Sequence, residues 1–164
     1  MKIHATNVAY IDGANLHKGI GELGWELDYK RFRTWLYEKY KVKTAYIFIG
    51  LIPKNKALYE RLQDWGFELK FKEVVYDGRG KPKGNCDADL VLNAVRDIYE
   101  GHFEKVIIVA GDGDYASLVD FLKQKDRLRI ILSPNDSQKC SILLKRTGAP
   151  IVYLNDKRNL LKRS

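Results

Sequence analysis

The 164-residue chain is narrowed first by what it lacks. It holds only two cysteines, Cys86 and Cys140, with no C-x-x-C spacing, so neither a disulfide framework nor a zinc site is indicated. Small buried residues are the simpler reading of both. No apolar run approaches the roughly 18 residues of a membrane-spanning helix. The opening residues lead straight into a strand-like segment rather than a secretory leader, so a soluble cytoplasmic protein with no membrane partner is expected. Internal repeats, low-complexity tracts and compositional breaks are also missing. With 45% hydrophobic residues, the expectation is one domain over residues 1–164 with a substantial core.

Acidic residues are the minority. Lys and Arg number 29 against 21 Asp and Glu, a net charge of +8 spread over several segments. That sign favours a polyanionic partner, nucleic acid before membrane.

Short apolar runs alternate with helical periodicity. Val8 to Ile11, Thr44 to Gly50, Lys105 to Val109, Leu128 to Leu132 and Ile151 to Leu154 read as buried strands. Glu68 to Val75 alternates polar and apolar, as an edge strand does. Helices are expected from Asp28 to Tyr40, Lys54 to Trp65, near Asp87 to Ile98, after Asp114 to Lys125, and from Ser137 to Arg146. Leu16 to Leu27 has no clear period, and Tyr76 to Gly84 reads as a mobile basic surface loop. Strands alternating with helices imply a Rossmann-like α/β/α sandwich with a mostly parallel sheet in the order 3-2-1-4-5.

In that order the first and fourth strands are neighbours, and the chain leaves them on opposite faces, opening a crevice at their carboxyl ends. Asp12 ends the first strand. Asp112 and Asp114 end the fourth, and Asp87 starts the helix that feeds it. Alone, each is explained by a turn or a helix cap. Together they would repel one another unless a cation sat among them. Oxygen ligands without His or Cys point to Mg2+ or Mn2+, which would activate water for attack on a phosphodiester. Asn15 adds a neutral oxygen and a donor to the same crevice.

Rival motifs fail on the letters. Gly19 to Gly24 matches a dinucleotide fingerprint but follows no strand, and Gly111 to Ala116 would aim two aspartates near a pyrophosphate. The Tyr76 to Gly84 stretch lacks the first glycine and the closing Lys-Ser or Lys-Thr of a Walker A loop. An EF-hand fails at Ser117 and Lys123, and a haloacid-dehalogenase site fails at Ala14.

Three separated motifs, Ile11-Asp12-Gly13-Ala14-Asn15-Leu16, Lys83-Gly84 with Asp87, and Ala110-Gly111-Asp112-Gly113-Asp114-Tyr115, resemble the NYN domains of the PIN-like nuclease superfamily, near the bacterial LabA-like group. The resemblance implies metal-dependent RNA cleavage, with Asp12, Asp87, Asp112 and Asp114 holding one or two ions and Asn15 supporting them. Many relatives carry a further aspartate where Asn93 stands here, so Asn93 and Asp89, which share a helix face, are further candidate metal residues, with Asp89 able to compensate for the missing charge. Arg79, Lys81 and Lys83, with Lys139, Lys145 and Arg146 behind them, are the candidate phosphate contacts, and Trp25 is the candidate to stack a base. Single-stranded RNA is the favoured substrate, with DNA left open. So are a homodimer and the alternative of an RNA-binding module of the same fold that no longer cuts.

Overall fold

The computed structural model describes residues 6–83 and 85–164, with the backbone alone described at 82 and 83. The chain runs β1 (Asn7–Asp12), α1 (Gly13–Glu22), α2 (Tyr29–Tyr40), β2 (Val42–Leu51), α3 (Lys56–Asp64), β3 (Phe67–Glu73), β4 (Val75–Tyr76) and β5 (Pro82–Lys83). It continues through α4 (Asp87–Glu100), β6 (Val106–Val109), α5 (Ala116–Gln124), β7 (Leu128–Ser133), α6 (Ile142–Arg146), β8 (Ile151–Tyr153) and α7 (Arg158–Leu161).

Six strands form one parallel sheet in the order β3-β2-β1-β6-β7-β8. Once β4 and β5 are set aside, this is the expected 3-2-1-4-5 with a sixth strand on the far edge. The layers follow from the two-residue period of a strand. Ala9 and Ile11 of β1, with Ile107 and Val109 of β6, pack under Leu16 and Ile20 of α1 and Phe32 and Leu36 of α2. Val8 and Tyr10, with Val106 and Ile108, pack under Leu90 and Ala94 of α4 and Leu118 and Leu122 of α5. After β1 the chain turns to one face and after β6 to the other, so the crevice lies between those two strands.

Three segments differ from expectation. The stretch with no readable period is largely α1: its glycines hide the pattern, yet Gly19 is needed because a Cβ there would come within 3.0 Å of Pro134. The basic stretch is an antiparallel hairpin, β4 against β5, whose turn is held by Asp77 Oδ1 accepting the N–H groups of Arg79 at 2.8 Å and Lys81 at 2.9 Å. The helix expected from Ser137 begins only at Ile142, because Asp136 Oδ1 accepts from the Gln138 and Lys139 N–H groups and bends the chain first.

Candidate metal centre

Three helix starts converge on the β1/β6 crevice, each bringing a carboxylate. Asp12 is the N-cap of α1, its Oδ1 accepting from Asn15 N–H at 3.0 Å. Asp112 caps the 3-10 turn that runs into α5, its Oδ1 accepting from Asp114 N–H at 3.0 Å. Asp87 is the first residue of α4 and not its cap, a place taken by Cys86, so its carboxylate is not occupied with capping. Helix amino termini carry partial positive charge, which draws carboxylates to this point.

The strand register delivers the side chains. Ile11 lies opposite Val109, so Asp12 and the Gly111-Asp112 turn leave the sheet at the same level. One oxygen each of Asp12, Asp87 and Asp112 lie within 4.8 Å of one another, a cluster able to hold a metal ion. Asp12 is only 8% exposed, and burial raises its pKa above the usual carboxylate value. The Asn15 N–H and the Tyr115 hydroxyl pull it down, and the neighbouring Asp87 and Asp112 push it up again. The pKa of Asp114, at the exposed mouth, is raised first by the neighbouring Asp87 carboxylate and then by the charge of Asp112.

The residue that sequence reasoning passed over is Tyr115. Its fully buried side chain places the hydroxyl 2.9 Å from Asp12 Oδ2 and 2.9 Å from Asp87 Oδ1. A phenol has one proton to donate, so two ionised carboxylates facing it are one proton short. Burial and the flanking Asp12 push the Tyr115 pKa far up, which keeps the phenol protonated. Only its place directly after Asp114 hinted at such a role. Among the described residues, the far oxygen of Asp87, Oδ2, is buried without a hydrogen-bond partner. An orphaned carboxylate oxygen beside two other acidic groups, with no nitrogen or sulfur ligand in the cluster, fits a hard divalent cation.

The other predicted residues are placed as follows. Asn15 Oδ1 accepts the Gly111 N–H at 2.8 Å, tying the end of β1 to the turn that carries Asp112. Asp89 points to Lys72, 3.8 Å away, and lines a cleft with Asn93 outside the carboxylate cluster. Arg79 and Lys81 are exposed on the hairpin turn, while Gly84 and the Lys83 side chain lie outside the described residues. Lys139 pairs with Glu22 at 3.4 Å, Lys145 donates to the Ser137 carbonyl, and Arg146 is exposed in the last turn of α6. Trp25 is not offered to bases: it is 7% exposed, and its ring N–H donates to Asn155 Oδ1 at 2.9 Å. An indole at an apolar wall is held better by burial with its N–H satisfied than by exposure in a loop.

Among the described residues no helix is long and apolar enough to cross a membrane. Residues 7–147 match the NYN domain. The fold is similar to that of the protein of unknown function VPA0982 from Vibrio parahaemolyticus, with a TM-score of 0.78 at 22% identity over 99% of each chain. No curated protein matches the chain.

Proposed function

The chain belongs to the NYN domain family, a nuclease-type fold, and from that premise we propose that it is a metal-dependent ribonuclease that hydrolyses phosphodiester bonds of single-stranded RNA. The observation that carries this reading is the meeting of Asp12, Asp87 and Asp112 within 4.8 Å of one another, with an Asp87 oxygen that is buried and, among the described residues, has no hydrogen-bond partner. These carboxylates would hold Mg2+ or Mn2+. Bound there, such an ion supplies Lewis acidity, acidifying water and offsetting charge on a phosphate under attack.

The remaining work falls to the chain. Tyr115 fixes the rotamers of Asp12 and Asp87 from below, and Asn15 keeps the Asp112 turn in register with β1. Asp114, open to solvent beside Asp112, would be the carboxylate that exchanges a proton at the mouth. Arg79 and Lys81 would meet phosphates of the strand, contacts that position RNA without reading its sequence. A single strand fits a crevice between two loops better than a stacked duplex does.

The test is incubation of end-labelled single-stranded RNA with purified protein and Mg2+ or Mn2+. Cleavage abolished by a chelator and restored by added metal is expected, with duplex RNA and single-stranded DNA cut more slowly. Chelator-insensitive cleavage, or RNA binding with no cleavage in either metal, contradicts the reading.

A further inference from the structure

Beside the carboxylate cluster a second cleft, of about 270 Å³, opens between β3 and the start of α4, and Phe48, Lys70, Lys72, Cys86, Asp89 and Asn93 line it. It adjoins the metal centre at two points. Phe48 of β2 is the register partner of Asp12, and Cys86 immediately precedes Asp87. A strand leaving the three aspartates on this side would cross the cleft.

We propose that this cleft is a phosphate subsite for the RNA strand, with Lys70 and Lys72 as its cations and Asn93 as a neutral hydrogen-bonding contact; the inference rests on the ribonuclease reading above. Lys72 donates to the Asn85 carbonyl at 2.7 Å and stands 3.8 Å from Asp89, a long ion pair with both partners about half exposed. Such a pair holds its lysine weakly and leaves other ammonium protons free for a phosphate. The Lys70 ammonium lies over the Tyr46 ring, 5.1 Å from its centre, which fixes where its charge sits without neutralising it. Lys70, Lys72 and Asp89 give the lining a formal charge of +1, beside an acidic centre.

Asn93 gains a meaning on this view. It follows Asp89 by one helical turn and lines the same cleft. An aspartate there would balance the two lysines with two carboxylates and repel a phosphate. An asparagine leaves the field positive and offers both a donor and an acceptor to the strand. The competing explanation is that lysines on the edge strand β3 only discourage pairing with other chains, in which case RNA binding is indifferent to them.

The test measures binding of a labelled single-stranded oligoribonucleotide by anisotropy, in chelator so that nothing is cut, across a series of salt concentrations. Lys70→Gln and Lys72→Gln keep most of each stem, and Lys30→Gln combined with Lys39→Gln, on the exposed surface of α2, is the charge-matched control for the double variant. The double variant is expected to bind on the order of tenfold more weakly at low salt, with the salt slope shallower by about 0.7 for each lysine removed, while the control stays near wild type. Asn93→Asp is expected to weaken metal-free RNA binding several-fold. Wild-type affinity and slope in the double variant, or loss equal to that of the control, overturns the subsite and leaves the ribonuclease reading standing. A wild-type protein that neither binds nor cuts the oligonucleotide overturns both.

Discussion

Asp112→Asn is expected to slow metal-dependent RNA cleavage by on the order of a thousandfold or more while leaving the fold intact. The loss corresponds to about 4 kcal/mol of transition-state stabilisation, the scale at which a Lewis-acidic cation contributes. Asparagine caps as well as aspartate, so the amide oxygen that the substitution introduces can still accept the Asp114 N–H and hold the turn. Without metal the variant should be no less stable than wild type, because it removes one member of a mutually repelling trio. The pH dependence follows from the raised Asp12 pKa. A carboxyl whose folded pKa lies above its unfolded value stabilises the fold fully below the unfolded value, and that contribution is lost as pH rises through the folded one. Through Asp12, metal-free wild type therefore loses part of its stability on going from acid toward neutral pH, and Asp112→Asn, which removes one of the charges that raise that pKa, loses less. Melting curves in chelator at several pH values, beside single-turnover cleavage, check both halves. A variant that melts well below wild type at neutral pH, or retains wild-type cleavage, speaks against a charge-repelling metal site.

Gly111→Ala should damage both the fold and the site. A Cβ at 111 would lie 2.1 Å from Asn135 Oδ1, 3.0 Å from its Cγ and 3.0 Å from the fully buried Ser133 Oγ. The Asn135 amide must swing aside, and its backbone cannot follow, since its N–H and carbonyl both bond to the Ser133 hydroxyl that the new methyl also meets. Nor can Gly111 retreat: its N–H donates to Asn15 Oδ1 and its carbonyl accepts from Ser141 N–H. Overpacking of this kind costs about 1–3 kcal/mol, a fall in Tm of roughly 2–4 °C for each kcal/mol in a chain of this size. Because Asp112 rides on the displaced turn, cleavage should drop about a hundredfold more than the stability loss explains. Thermal melts and kcat measured well below the transition separate the two effects. A Gly111→Ala protein with wild-type Tm and kcat would mean that the turn is looser than its contacts imply.

Much of the frame was legible in the letters because it depends on local periodicity. Buried runs such as Lys105 to Val109 fixed the strands, the alternation in Glu68 to Val75 marked an edge, and helical spacing set off Asp28 to Tyr40 and Lys54 to Trp65. The aspartates could be assigned to one crevice because the crossover rule forces the ends of β1 and β6 together. What the letters hid depends on contacts distant in sequence. Tyr115 is only the last letter of a motif until its hydroxyl is found between Asp12 and Asp87, 103 and 28 residues away. The glycines of α1 look like helix breakers until Pro134 is seen against Gly19. Trp25 looked available to bases because nothing in its own segment announced that Asn155, 130 residues on, would take its N–H. Asn93 read as a missing ligand, whereas its neighbours in space are the lysines of β3.

Whether Asp12, Asp87 and Asp112 act as one cation site is measured most directly by calorimetric titration of Mn2+ into the metal-free protein, beside Asp87→Asn. Wild type should take up the ion saturably at the trio. At a hundredfold excess over Kd it should gain about 2.7 kcal/mol of stability, a rise of several degrees in Tm. Asp87→Asn, which removes the orphaned oxygen's charge, should lose both the heat and the stabilisation. Equal uptake by the two proteins, or none by wild type, would contradict the site.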